Sequence, residues 1–127
     1  MAKRKVLIID DDAAVTQHLF WTLCDEFEVM TANNLSSAVR RATIYEPDVT
    51  ILDLYLPPTR DAPDTGLRIL AYVKSYLPNS KVFVVCAQDD EELRKRCLAA
   101  GADLLITKPL DVTLLLEAVR KSLPWRL

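Results

Sequence analysis

The chain has 127 residues, of which 50% are hydrophobic and 27% charged, and 16 Lys and Arg against 18 Asp and Glu leave a net charge of −2. That composition excludes a disordered tract, and the mild acidity excludes a direct nucleic-acid binder. A chain of this length buries roughly two-thirds of its extended surface, enough for one core and too little for two ordinary domains, so residues 1–127 are read as one domain.

The apolar runs are a handful of residues long, far short of the ~20 that a membrane-spanning helix needs. Met1 to Lys5 is basic, but the apolar Val6 to Ile9 behind it is too short for a signal-peptide core. Cys24, Cys86 and Cys97 are odd in number and lack the spacing of a metal knuckle or a redox pair. The expectation is a reduced, cytoplasmic chain with no membrane contact.

Val6 to Ile9 is a β-branched apolar run that predicts a strand buried on both faces. Val15, Leu19 and Leu23 recur at helical spacing behind Asp12, a residue suited to cap a helix. Glu28 to Ala32 predicts a short second strand. Leu35, Ala38, Val39 and Ala42 then form a helical stripe between Asn33-Asn34 and Pro47. Val49 to Leu52 is a third strand, and Leu67, Leu70, Val73 and Leu77 form a third stripe closed by Pro78-Asn79. Val82 to Val85 is a fourth strand. Leu93, Cys97 and Ala100 mark a helix stopped by Gly101. Leu104 to Ile106 is the last strand, and Leu115, Ala118, Val119 and Leu123 complete a fifth helix.

Strand and helix thus alternate five times with short links, which implies a doubly wound α/β domain with a parallel sheet covered on both faces. The one long irregular stretch is Pro57 to Thr65, and loops of that length tend to border a site.

Ligands of open parallel sheets bind beyond the carboxyl ends of the strands. Strand one ends in Asp10-Asp11-Asp12, strand three in Asp53, strand four in Cys86-Ala87 and strand five in Thr107-Lys108-Pro109. Carboxylates crowded on one edge repel one another, by about 4 kcal/mol for a pair at ~4 Å, and stay ionised together when they share a cation. An all-oxygen ligand set suits Mg²⁺ or Mn²⁺. Such a cation beside a lysine stabilises a transferring phosphoryl group, and a free carboxylate can receive that group as an acyl phosphate. The arrangement points to phosphoryl transfer onto an aspartate. The Asp-x-Asp-x-Thr/Val pattern of aspartate-nucleophile phosphatases is absent after strand one, where the chain reads Asp10-Asp11-Asp12-Ala13-Ala14.

The stretches VLIIDDD (6–12), PDVTILDLYLP (47–57), VFVVCAQDDEE (82–92) and AGADLLITKPL (100–110) occur in order and at characteristic spacing. On these the chain resembles a response-regulator receiver domain, the phospho-acceptor module of two-component signalling. The resemblance implies a flavodoxin-like (βα)5 fold, with a five-stranded parallel sheet in the order 2-1-3-4-5. It implies Asp53 as the phosphorylated residue and Lys108 as its catalytic partner on the phosphoryl oxygens. It further implies that Asp10, Asp11, Asp53 and the backbone carbonyl of Tyr55 hold Mg²⁺, and that the Lys108–Pro109 bond is cis. Tyr55 and Gln88 stand at the positions that tune dephosphorylation. The implied partners are a histidine kinase or phosphotransfer protein as donor. An output partner or a second copy would meet the face formed by helix four, strand five and helix five.

Two switch positions depart from the family pattern. Cys86 stands where the family has Ser or Thr, and a thiol is the weaker donor. Leu105 stands where the family has Tyr or Phe. In addition, Pro57-Pro58-Thr59-Arg60-Asp61-Ala62-Pro63 delays the glycine that follows the acceptor, here Gly66. These departures motivate a second expectation, an atypical receiver that works as an interaction module without regulated phosphorylation.

Overall fold

The computed structural model describes residues 3–59, 62–87 and 90–123. Ten elements alternate along the chain: β1 (Lys5–Ile9), α1 (Ala13–Leu23), β2 (Glu28–Ala32), α2 (Leu35–Tyr45), β3 (Val49–Asp53), α3 (Asp64–Tyr76), β4 (Lys81–Cys86), α4 (Glu91–Ala99), β5 (Leu104–Thr107) and α5 (Val112–Ser122). The strands pair in parallel in the order β2-β1-β3-β4-β5, as the sequence leads one to expect.

Local chemistry sets the helix starts. Asp12, Asp90 and Asp111 each turn a carboxylate oxygen onto two amides of the following turn, capping α1, α4 and α5. Asn34 caps α2 and is answered by the Ser37 hydroxyl, which accepts from the Asn34 amide. Glu46 closes α2 in the left-handed region at φ 50°, and Gly101 follows α4 at φ 104°, a conformation that glycine adopts without a Cβ penalty.

Successive strand residues face opposite sides, so each central strand feeds two apolar layers. Leu7, Ile9, Leu52, Val82 and Val84 join α2, α3 and α4 on one side, with Ile69, Leu70, Leu93 and Cys97. Val6, Ile8, Ile51, Phe83 and Val85 join α1 and α5 on the other, with Leu19, Leu23, Leu115 and Val119. β1, β3 and β4 are buried almost throughout, whereas the edge strands β2 and β5 are partly exposed. The expectation of strands covered on both faces therefore holds for the centre of the sheet only. An edge strand lacks a neighbour and the helix packed over that neighbour.

The long stretch after Asp53 is also shorter than expected, because α3 begins at Asp64 and takes in Thr65 and Gly66. Pro63, at the N-cap position, offers no side-chain acceptor. The Thr59 hydroxyl serves instead, accepting from the Thr65 amide at 3.3 Å and pairing with the Thr65 hydroxyl at 2.8 Å. Gly66 packs directly on the backbone of Leu54, and its amide donates to the Leu54 carbonyl at 3.2 Å. A Cβ there would collide with the Leu54 Cα and carbonyl. This contact returns the chain tightly beside the end of β3.

Candidate functional site

Each strand of the centre delivers a side chain to the same edge of the sheet. β1 runs out into Asp10 and Asp11, and β3 ends in Asp53, with Ile9 paired to Leu52. The parallel register therefore places the two strand ends side by side. Oxygens of the Asp10, Asp11 and Asp53 carboxylates lie within 4.8 Å of one another. Asp10 and Asp53 are buried, at 6% and 5% exposure.

The two buried carboxylates are held alike. Asp10 Oδ1 accepts from the Asp12 amide at 2.9 Å, and Asp53 Oδ1 accepts from the Tyr55 amide at 2.9 Å. Both are local bonds to the amide two residues on, the habit of aspartates at chain turns. Asp12, besides lending its amide, caps α1 with its side chain. Thr16 ties the turn from above, its hydroxyl donating to the carbonyls of Asp12 at 3.0 Å and Asp10 at 3.4 Å.

Lys108 arrives from the loop behind β5. Its amide donates to the Cys86 carbonyl at 2.9 Å, and its Nζ lies 3.4 Å from Asp53 Oδ2. The Lys108–Pro109 peptide is cis, as is Pro57–Pro58.

Among the described residues the edge is short of positive charge. Burial, opposed by the hydrogen bond from the Asp12 amide, pushes the Asp10 carboxyl up to about 6, with the fields of Asp53 and Asp11 raising it and Lys108 lowering it. Three carboxylates facing one ammonium, counted among the described residues, are a fit for a hard divalent cation bound through oxygen. The acidic group opens on two concavities. One is a groove of about 580 Å³ on the Asp10–Asp11 side, between α1 and α2. The other is a recess of about 250 Å³ on the Asp53–Lys108 side, against α1 and Leu110. Asp53 is thus buried yet reachable.

Cys86 ends β4, and Leu105 lies within β5. The Cys86 thiol, 4% exposed, points to the Ile106 carbonyl at 3.8 Å and so leans on β5. Leu105 is half-buried and packs against the layer beneath α4. None of Cys24, Cys86 and Cys97 is in a disulfide. Gln88 lies outside the described residues. Sequence reasoning brought Asp10, Asp11, Asp53, Lys108, Tyr55 and Cys86 to this edge, and the structure places them there, whereas Leu105 lies within β5 beside Val84. It missed the amides of Asp12 and Tyr55 as the groups that hold the carboxylates. The signal was available in the Asp-x-x pattern at a strand end. It also missed the Thr59–Thr65 pair, for which two threonines six apart give no signal.

An open parallel sheet with three carboxylates and a lysine on its carboxyl edge defines a class, the α/β domains with an acidic phospho-acceptor pocket. Residues 6–120 match the family described as the response regulator receiver domain, and the chain belongs to that family. It is 35% identical over 111 residues to a cyclic di-GMP phosphodiesterase of Thermotoga maritima, a match covering 87% of this chain and 28% of that protein. It is 31% identical over 120 residues to the chemotaxis protein CheY of Halobacterium salinarum, covering 94% of this chain and 95% of the relative. The fold superposes on the chemotaxis protein CheY4 of Vibrio cholerae with a TM-score of 0.85 and 27% identity, covering 96% of this chain and all of that one. The chain spans about half the length or less of several other curated relatives that it matches, between 44% and 50%. It is a receiver domain of the two-component response-regulator type, a phospho-acceptor family whose members bind Mg²⁺ at an acidic pocket. Among the described residues no helix is long and apolar enough to cross a membrane.

Proposed function

We propose that residues 1–127 act as one receiver unit that takes a phosphoryl group onto Asp53 from a phosphohistidine donor. The observation that carries this reading is the convergence of the Asp10, Asp11 and Asp53 carboxylates within 4.8 Å, with Lys108 Nζ 3.4 Å from Asp53. Asp10, Asp11, Asp53 and the carbonyl of Tyr55 would hold Mg²⁺, or Mn²⁺ in its place. Bound there, the cation would neutralise charge that builds on the phosphoryl oxygens.

In the transfer an Asp53 carboxylate oxygen attacks phosphorus. The P–N bond to the donor imidazole breaks, a P–O bond forms, and the electron pair leaves with the imidazole nitrogen. Lys108 pairs with the phosphoryl oxygens, and the Tyr55 amide fixes the orientation of Asp53. Hydrolysis of the acyl phosphate returns Asp53, with Tyr55 and Gln88 tuning its rate, so the domain modifies itself and turns over no other substrate. The donor is a histidine kinase or a phosphotransfer protein. The output surface is the face of α4, β5 and α5, where Leu98, Leu104 and Leu114 are exposed, one on each element.

Intact-mass measurement after incubation with a small-molecule phosphodonor tests the reading. The expected result is a Mg²⁺-dependent gain of one phosphoryl group, lost in Asp53→Asn. A folded protein that binds Mg²⁺ and gains nothing would support the interaction-module alternative instead.

A further inference from the structure

Between Asp53 and α3 the chain makes an arc, and adjacent residues of the first turn of α3 hold its two ends. At the near end the Leu54 amide donates to the Val85 carbonyl at 3.4 Å, and the Leu54 carbonyl accepts from the Gly66 amide at 3.2 Å. At the far end the Thr59 hydroxyl accepts from the Thr65 amide at 3.3 Å and pairs with the Thr65 hydroxyl at 2.8 Å. Thr59 also turns back on the arc, its amide donating to the Leu56 carbonyl at 3.1 Å. The side chains of Leu54 and Leu56 are fully buried, and Thr65 is 3% exposed. A hydroxyl pair this deep is costly to leave half made, so each threonine holds the other in place.

Tyr55 lies inside that arc. Its amide is committed to Asp53 Oδ1 at 2.9 Å. The carbonyls on either side of it, of Leu54 and Leu56, are taken by Gly66 and Thr59, whereas the Tyr55 carbonyl accepts from none of the described residues. Asp10 and Asp11 follow β1 directly and Asp53 ends β3, so the sheet places the three carboxylates. A backbone oxygen has no rotamer to adjust, and that of Tyr55 goes where its arc goes.

We propose that the Thr59–Thr65 pair is a clasp that fixes the Tyr55 carbonyl and thereby sets the preference of the acidic edge for Mg²⁺ over Ca²⁺. The role rests on the phospho-acceptor reading, in which Tyr55 lends a backbone oxygen to the cation. Mg²⁺ demands short oxygen contacts in near-octahedral geometry, whereas Ca²⁺ accepts longer and more variable ones. A carbonyl whose arc is held at both ends suits the first ion, and a carbonyl free to drift suits only the second. Thr59 belongs to the stretch Pro57 to Pro63 that delays Gly66, so the clasp lets a longer loop hold its first residues firmly. Thr59 and Thr65 act through Tyr55 and are positioning residues.

NMR titration of the full chain with MgCl₂ and, separately, with CaCl₂ tests the clasp, read at the amides of Asp12 and Tyr55 that bind the two buried carboxylates. The unmodified chain is expected to prefer Mg²⁺. Thr65→Val keeps the shape and removes the hydroxyl, and it is expected to weaken Mg²⁺ binding about tenfold, the scale for losing a group that orients a metal ligand. Ca²⁺ affinity is expected to stay nearly unchanged in the same variant, so the ratio of the two affinities falls with the Mg²⁺ term. Thr65→Ser retains the hydroxyl and is expected to retain both affinities. Thr59→Val is expected to match Thr65→Val, and the double variant to be no weaker than either, because one clasp is broken only once. Thr59 is half-buried, so Thr59→Val carries the test if Thr65→Val does not fold. Unchanged Mg²⁺ affinity in either folded valine variant would overturn the clasp. So would a parallel fall for both cations, a Thr65→Ser variant as weak as Thr65→Val, or an unmodified chain that prefers Ca²⁺. Failure of the unmodified chain to bind Mg²⁺ at all overturns instead the metal-dependent reading on which the clasp rests.

Discussion

The two halves of the carboxyl edge are built differently. On the β1–β3 side Asp10 and Asp53 stand at the ends of strands buried almost throughout, and the carboxylate of each is fixed by a backbone amide at 2.9 Å. On the β4–β5 side Lys108 is 41% exposed, the Cys86 thiol makes a long contact at 3.8 Å, and Leu105 sits on a half-covered edge strand. The comparison teaches that the acceptor chemistry is preorganised by the rigid centre of the sheet. The side that would respond to it is held by weaker and more exposed contacts. A receiver needs that asymmetry, because a site must be firm to bind a cation and its surroundings must yield for a signal to leave.

Substitutions at the two sides should separate them. Gly66→Ala strikes the firm side hardest, since the new Cβ would meet the Leu54 backbone directly behind Asp53. The expected loss is about 2–3 kcal/mol, seen as a lower urea midpoint, because backbone rather than a flexible side chain must give way.

The buried carboxylate should give that side a pH signature. Asp10 is raised from 3.8 to about 6 chiefly by burial, so the folded protein holds a proton that the unfolded chain has released. Metal-free stability from this group therefore falls as pH rises between those values, by on the order of 2 kcal/mol, and the penalty stays above them. Urea melts across that window should show the slope, Asp10→Asn should remove it, and Mg²⁺ should offset it at neutral pH.

Thr50 offers a test of the same strand's interior. It is fully buried in β3, and its hydroxyl has no hydrogen-bond partner among the described residues. Thr50→Val keeps the shape and removes an unsatisfied group, so it should raise stability by about 1 kcal/mol. The smallest effect belongs to the yielding side. Leu105→Ala, on the half-exposed edge, is expected to cost about 1 kcal/mol or less in the same melts, against the larger loss for Gly66→Ala.

Much of this was legible in the residues. Val6 to Ile9 and Val82 to Val85 read as strands because a doubly covered strand must be apolar on both faces. Asp12 read as a cap because a short acceptor before an apolar stripe has little else to do. Asp10, Asp11, Asp53 and Lys108 were brought together by one topological fact, that parallel strands end on the same edge. Other features were hidden for physical reasons. The exposure of β5 depends on its having no sixth strand beside it, which LLIT does not state. The early start of α3 depends on Thr59 capping from a distance, a tertiary contact without periodicity. The turn of the Cys86 thiol toward Ile106 is a rotamer choice made by neighbouring β5, and composition does not fix it.

The claim at the centre of this account is that Asp53 itself carries the phosphoryl group. Borohydride reduction of the protein after incubation with a phosphodonor and Mg²⁺ converts an aspartyl phosphate to homoserine, which peptide mapping then locates. The account predicts homoserine at position 53 and at no other aspartate of the acidic edge. Homoserine at Asp10, Asp11 or Asp12, or a phosphoryl group that resists reduction and maps to a hydroxyl, would contradict it.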